Sequence, residues 1–243
     1  MALVEFVLRS LLELLVLPIS LLSWLGLWDP LYKRFFPVIL NRCVVEYNQK
    51  MGKAKKELFA NLPQLGSAKG LTILELGCGT GSNFEFFPQG SKLVCVDPNP
   101  HFESYLTRSK AQNKHLTFQR FLVAKGEDLS QVDSGSVDAV VCTLVLCTVT
   151  DTDKVLKEIL RVLRPGGIFY FMEHVVGDKT SWMRVVQYVI QPVWRYFGDG
   201  CDLNRATWEN LDKAGFSELN LRHVMTNLNM AVVRPHIVGY AVK

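Results

Sequence analysis

Leu71-Thr72-Ile73-Leu74-Glu75-Leu76-Gly77-Cys78-Gly79-Thr80-Gly81 decides the fold. Its first half is a short, mostly apolar run, the pattern of a strand buried on both faces of a parallel sheet. Its second half is a glycine-rich turn, where the missing Cβ lets backbone N–H groups approach a ligand closely. The spacing is GxGxG, not the GxGxxG of dinucleotide-binding folds, and no phosphate-binding Lys follows, which argues against a P-loop. Ser82-Asn83-Phe84-Glu85-Phe86-Phe87 then reads as a helix start, interrupted by Pro88 and Gly90.

Working outward, Lys92-Leu93-Val94-Cys95-Val96 is the second strand, and it ends on Asp97, 22 residues after Glu75. An acid at that tip is placed to accept both hydroxyls of a ribose at the carboxyl edge of a parallel sheet. A helix cap is the competing role for Asp97 taken alone. Pro98-Asn99-Pro100 prevents further strand pairing and starts a new helix. Phe121-Leu122-Val123 belongs to a third strand, followed by Gly126-Glu127-Asp128. Val137 to Cys142 is a fourth strand, running into Thr143 and Leu144. Val155 to Leu163 has the spacing of an amphipathic helix, Arg164-Pro165-Gly166-Gly167 breaks it, and Ile168 to Met172 is a fifth strand. Strands and helices alternate at βαβ spacing, which predicts an α/β fold with a parallel sheet.

Glu75 to Gly81, with Asp97 after it, resembles the S-adenosylmethionine site of class I methyltransferases. The resemblance implies a Rossmann-like, mostly parallel seven-stranded sheet with helices on both faces, here preceded by an N-terminal hydrophobic helical anchor. It also implies roles for residues. Glu75 would approach the cofactor's amino group, directly or through water, while Gly77, Cys78, Gly79 and Gly81 would admit its methionine and ribose portions. Asp97, with Pro98 beside it, would take the ribose hydroxyls. Glu127 or Asp128 would accept from the adenine N6, with Glu127 preferred. Thr143 and Leu144 would line the cofactor near its methyl group. Cys78 stands where a nucleophile could, but its small size suffices to explain it.

A closer resemblance rests on four further stretches: Asp97-Pro98-Asn99-Pro100-His101-Phe102-Glu103, Cys142-Thr143-Leu144-Val145-Leu146-Cys147, Gly198-Asp199-Gly200-Cys201 and Pro235-His236-Ile237. Together with the leucine-rich start they are similar to the membrane-anchored alkyl thiol methyltransferases (methyltransferase-like seven). That implies a cytosol-facing enzyme on endoplasmic reticulum and lipid droplets, methylating small, apolar thiols. His174, after Glu173 at the end of strand five, is the best placed candidate for a general base; an orienting or structural histidine is the alternative. His236 is a weaker candidate. Trp182 to Trp208, with Tyr188, Trp194, Tyr196 and Phe197, is expected to form the substrate-side wall. Asp199, Cys201 and Arg205 would shape it without an assigned role.

The composition supports this layout. Of 243 residues 49% are hydrophobic and 21% charged, which excludes a disordered chain. Residues 1–28 hold 20 apolar residues, eleven of them leucine, and only Glu5, Arg9 and Glu13 are charged. Those three share one sector of a helical wheel. Glu5 and the lack of a small-x-small site argue against a cleaved signal peptide, and the leucine count exceeds what one buried helix face needs. The expectation is a hydrophobic anchor over 1–28 that lies in the membrane interface or dips into it, with Trp24, Trp28 and Tyr32 as interfacial aromatics. A basic juxtamembrane helix or linker over 29–57 carries seven Lys/Arg against three Asp/Glu. There Lys50, Lys53, Lys55 and Lys56 either touch anionic headgroups or line a solvated face. A methyltransferase domain fills 58–243, nearly neutral, so the net +4 is no nucleic-acid signal. The six cysteines show no CxxC pair, and neither a metal site nor a disulfide framework is expected. Competing readings are a methyltransferase for lipid or quinone-type acceptors, and a lipid-droplet surface protein with a cofactor-binding scaffold.

Overall fold

The computed structural model describes residues 2–66 and 70–243. Seven strands form one sheet in the order β3-β2-β1-β4-β5-β7-β6. They are β1 (Thr72–Leu76), β2 (Lys92–Val96), β3 (Thr117–Leu122), β4 (Val137–Thr143), β5 (Leu163–His174), β6 (Glu218–Met225) and β7 (Pro235–Val242). The first five run parallel, and β7 is antiparallel to both β5 and β6. This is the mostly parallel seven-stranded sheet expected of a class I methyltransferase.

The pleat divides the core. Leu74, Leu76, Val94, Val140, Phe169 and Phe171 point to one face. That face is covered by α5 (Thr152–Val162), whose Val155, Leu156, Ile159 and Val162 form a helical stripe. Asp151 caps α5 by accepting the Lys154 N–H at 3.0 Å. Ile73, Leu93, Cys95, Val141, Tyr170 and Met172 point to the other face. There Tyr47, Met51 and Leu58 of α3 (Trp28–Leu58) pack against them. Glu75 shares the pleat phase of Ile73 and therefore faces the α3 side.

Three local expectations are revised. Ser82–Phe87 is no α-helix; only a 3-10 turn forms at Phe84–Phe86, before Pro88 stops it. The Arg164–Gly167 breaker does not precede the fifth strand but is looped within it. The register steps from Val137↔Leu163 to Ala139↔Ile168, and a Cβ on Gly167 would come within 2.9 Å of the Arg164 carbonyl oxygen. The boundary at 58 shifts: the segment 29–57, expected as a helix or linker, is one helix, and its second half belongs to the domain core.

At the N-terminus, α1 (Ala2–Leu15) and α2 (Leu17–Trp24) meet at a bend of 58°. Pro18 lies in the first turn of α2, where its missing N–H costs nothing. The charged sector of α1 faces the protein. Arg9 sits 4.4 Å over the Tyr188 ring of α6 (Trp182–Phe197), donates to the Tyr188 carbonyl oxygen and pairs with Glu13 at 3.0 Å. Leu3, Phe6, Leu11, Leu14 and Leu15 are left exposed on the other side. Among the described residues no single helix is long and apolar enough to cross a membrane; the bent α1–α2 pair passes that test only together.

Candidate active site

Strand register brings the glycine turn and its partners together. Leu76 pairs with Val96 on one side and with Cys142 on the other, so Gly77, Asp97 and Thr143 all emerge at one sheet edge. The Gly77 and Cys78 N–H groups both donate to the Val96 carbonyl oxygen, at 2.8 and 3.1 Å, which folds the turn over the end of β2. Gly77 and Gly79 hold φ of +64° and +49°, backbone that side chains disfavour. Gly81 also has positive φ, but it faces inward and does not line the cavity: a Cβ there would lie 2.4 Å from the Phe84 ring.

Asp97 sits in the wall of a cavity of about 1310 Å³. Its Oδ2 accepts the Gly79 N–H at 3.0 Å and its Oδ1 accepts the Asn99 N–H at 2.9 Å. Burial pushes its carboxyl up to about 6, against the pull of those N–H groups. Pro98, Thr143 and Leu144 line the same cavity, as do Cys78 and Glu127. Leu144 has φ +59°, a strained value for a non-glycine residue. Burial holds the Cys78 thiol far above its usual range, so it is no nucleophile at neutral pH.

Glu75 and Asp128 stand elsewhere than expected. Glu75 is buried beneath the turn and does not line the cavity. Its Oε1 accepts from Asn83 Nδ2 at 2.8 Å, and the same nitrogen reaches Thr143 Oγ1 at 2.9 Å. Asn83, itself buried behind the wall, thus links Glu75 to Thr143 in the cavity lining. Asp128 is exposed, outside the cavity, and accepts from the Ser130 N–H at 3.1 Å. Its neighbour Glu127 accepts the Thr150 N–H at 2.8 Å and ties down the β4–α5 loop while remaining in the wall.

Lys55 is the residue at this end that sequence reasoning misplaced. It touches neither lipid nor solvent. It is fully buried in the cavity wall, donates to Asn48 Oδ1 at 2.7 Å and faces Glu75. Burial lowers Lys55 to about 8 and raises Glu75 to about 8, with their mutual attraction opposing both shifts. Lys50 is also engaged, with Asn229 Oδ1 at 2.6 Å and Glu46 at 3.2 Å; Lys53 and Lys56 are exposed. Tyr32, expected among interfacial aromatics, is instead buried, stacked on Trp28 at 5.7 Å and bonded through its hydroxyl to the Phe197 carbonyl oxygen.

The far end of the cavity has different chemistry. His174, the last residue of β5, is buried with Nε2 2.6 Å from Cys201 Sγ. The Trp194 indole N–H donates to the same sulfur at 3.0 Å. Cys147 completes a buried group in which the two sulfurs and an imidazole nitrogen lie within 4.8 Å of one another. Cys147, Trp194 and His174 together draw the Cys201 thiol below its usual range. His174 is therefore no isolated base: burial alone would depress it, and Cys201 more than offsets this. His236 pairs with His174 across the β5–β7 ladder and contacts the Tyr47 hydroxyl at 3.3 Å, and burial lowers it to about 4. Tyr188, Trp194, Tyr196 and Phe197 line the cavity as expected, whereas Trp182 and Trp208 do not.

Two observations fit S-adenosylmethionine to the first end. A buried carboxylate, glycine backbone and a buried ammonium converge there, which suits a ribose diol and an amino-acid portion. Glu75 Oε2 and Asn83 Oδ1 beneath the turn are buried without a partner among the described residues, so acceptor capacity remains for an amino group reached through water.

Residues 74–171 match the methyltransferase domain family. Over its full length the chain is 50% identical to the human thiol S-methyltransferase TMT1A, covering 100% of both. It is 49% identical to human thiol S-methyltransferase TMT1B, covering 97% of both. Among solved structures, the CurJ carbon methyltransferase superposes with a TM-score of 0.62 at 20% identity, over 89% of this chain and 61% of that one. Phosphoethanolamine N-methyltransferase 2 of Haemonchus contortus, bound to S-adenosylmethionine, gives 0.55 at 18%, over 77% and 52%. These structural likenesses show the fold alone.

Proposed function

The chain belongs to the thiol S-methyltransferase family and is an S-adenosylmethionine-dependent methyltransferase; from that premise we propose that its acceptors are small, apolar alkyl thiols drawn from a membrane surface. The observation that carries the proposal is the course of the cavity. Its lining includes Asp97 and the glycine turn, the Cys147–His174–Cys201 group, and Arg9 and Ser23 on α1 and α2, which also carry exposed apolar side chains. On this reading an acceptor dissolved in lipid would enter from the α1–α2 side without crossing bulk water.

The cofactor supplies a sulfonium methyl, an electrophile that needs only a well-placed nucleophile. Asp97 would hold the ribose hydroxyls, Lys55 would neutralise the carboxylate of the amino-acid portion, and Glu127 would meet the adenine side. Leu144, Val145 and Tyr47 then exclude water where the acceptor sulfur must sit. Exclusion matters because thiolate and sulfonium charges cancel in the transition state, and bulk water would stabilise the separated charges more. Positioning is the main contribution, since the displacement is in line and the sulfur must be close to the methyl. Free thiols are already a few per cent ionised near neutral pH, so His174 need not act as a lone base.

We further propose that residues 1–28 lie in the interface of the endoplasmic reticulum membrane or a lipid droplet, with the domain in the cytosol. Leu3 is 74% exposed and Trp24 83%. Leu31, Phe35, Val38 and Val45 extend the apolar surface along α3, and the exposed Arg34 and Arg42 beside them suit anionic headgroups.

The test is acceptor choice by the purified full chain, followed as release of demethylated cofactor. Alkyl thiols are expected to react, faster as the chain lengthens, and a prenylated phenol or zwitterionic thiol to react poorly. Turnover of the phenol alone would remove the thiol reading; equal rates for the zwitterionic thiol would remove the apolar one.

A further inference from the structure

Three separate connections deliver Cys147, His174 and Cys201 to one point: the β4–α5 loop, the end of β5 and the loop that follows α6. All three side chains are buried, and all three line the cavity. Their backbones are tightly fixed. Arg205 Nη1 donates to the carbonyl oxygens of Leu146 at 2.6 Å and Val149 at 2.7 Å, gripping the loop that carries Cys147. The Asp202 N–H donates to the Cys147 carbonyl oxygen at 2.9 Å, so the Cys201 loop is stitched to it.

We propose that Cys147, His174 and Cys201 bind a zinc ion whose fourth coordination position opens into the cavity and receives the acceptor sulfur. Two thiolates and an imidazole are a soft donor set that selects zinc over the hard cations. Three protein ligands with an open fourth side are the arrangement of catalytic zinc, whereas structural zinc is closed by four. Tetrahedral zinc with these ligands separates its donor atoms by roughly 3.5–3.8 Å. The three donor atoms lie within 4.8 Å of one another, and holding zinc would take Cys201 Sγ about 1 Å out from its 2.6 Å approach to His174 Nε2.

The site deepens the thiol reading, on which the role of its open position rests. On coordination the acceptor S–H bond breaks and its proton passes to water, because a zinc-bound thiol is deprotonated outright. A lone pair of the acceptor sulfur forms the new S–CH3 bond. The sulfonium C–S bond breaks with its electrons kept by the cofactor sulfur. The product is a neutral thioether, a poorer ligand than a thiolate, and it leaves.

The experiment is metal analysis of the full chain purified in detergent without chelator, and again after incubation with zinc alone. About one zinc per chain is expected. Cys147→Ser, Cys201→Ser and His174→Ala should each lower zinc affinity at least about tenfold, while binding of S-adenosylhomocysteine shows that the fold and the other end of the cavity are intact. Cys43→Ser, at an exposed cysteine, should keep its zinc. In cobalt-substituted protein, thiolate-to-metal charge transfer is expected, and an added alkyl thiol should change the visible bands. Absence of zinc after both preparations, zinc retained in the Cys147→Ser/Cys201→Ser double variant, or a Cys147–Cys201 disulfide would overturn the site. A metal-free chain that methylates thiols at full rate would remove the zinc and leave the function standing. A loaded chain inert towards thiols would do the reverse.

Discussion

At the glycine-turn end of the cavity, most of the groups that would meet the cofactor lie in two short stretches, Gly77–Thr80 and Asp97–Pro98, set side by side by the register of β1 and β2, with Lys55 and Glu127 added from α3 and the loop after β3. At the other end, Cys147, His174 and Cys201 come from connections 27 residues apart, and Tyr47 reaches in from a helix on the far side of the chain. The first end is backbone and charge, the second sulfur, imidazole and aromatic rings. Local chain geometry builds the one. Packing of distant elements builds the other, and α1 packs through Arg9 on Tyr188 of α6, one of the aromatics in the cavity wall.

The strongest way to break this contrast is Asp97→Ala. It deletes the carboxylate that organises the first end, so binding of S-adenosylhomocysteine should weaken about 100-fold or more, on the order of 3 kcal/mol for two charge-assisted hydrogen bonds. Calorimetric titration measures this, and a change under about threefold would mean that another group holds the ribose.

The second test addresses the apolar helices. Leu11→Glu, Leu14→Glu and Leu15→Glu together alter exposed side chains and leave the core untouched. Partition onto anionic vesicles should fall by about 30-fold, roughly 2 kcal/mol, the worth of burying about 80 Å² of leucine surface among the three at the interface. Turnover of a short, water-soluble thiol should be unchanged. Undiminished sedimentation with vesicles would show that α1 does not meet the membrane.

Acidity distinguishes the ends more gently. The Asp97 carboxyl sits at about 6, above the usual carboxylate range, so it is ionised above that pH and takes a proton below it. The protonated form loses acceptor capacity, so cofactor affinity is present above pH 6 and lost below, about tenfold between pH 7 and 5. Asp97→Asn should give a flat profile. A wild-type chain whose affinity stayed level down to pH 5 would assign the titration to another group.

The smallest effect sharpens the description of the turn itself. Gly81→Ala and Gly90→Ala both place a side chain at φ near +78°, but only Gly81 meets neighbours, Phe84 and Ser109, within 3 Å. Gly90→Ala should cost about 1 kcal/mol of backbone strain, and Gly81→Ala about 3 kcal/mol once overpacking is added. Thermal melts compare the two, and cofactor affinity should change in neither. Equal melting temperatures would remove the packing role of Gly81.

Much of this was legible in the sequence because it is local. The apolar run Leu71–Leu76, the glycines after it and the acid at the tip of β2 state a parallel strand, a turn and a carboxylate beside it within 27 residues. The five parallel strands followed from apolar runs at βαβ spacing, although only a 3-10 turn stands where a helix was expected between β1 and β2. Glu127 and Asp128 stay alternatives in the sequence because adjacent acids look alike there; the loop path leaves Glu127, the preferred one, in the wall and turns Asp128 to solvent. Lys55 was misjudged because a run of lysines reads as a solvated face, and nothing in the run shows that α3 rotates one of them under the glycine turn to face Glu75.

The sequence by itself determined the α/β sheet, the cofactor end and the separation of a leucine-rich foot from a nearly neutral domain, since each is a pattern of neighbouring residues. Tertiary structure alone decided that α3 roofs the site, that Arg9 turns inward and leaves the apolar side of α1 exposed, and that Cys147, His174 and Cys201 share one point. Their positions at 147, 174 and 201 carry no ligand spacing that a sequence could show. Sheet order, with β4 beside β5, sets the Cys147 loop next to His174, and the loop after α6 brings Cys201 to them through the Asp202 N–H bond to the Cys147 carbonyl oxygen and the grip of Arg205.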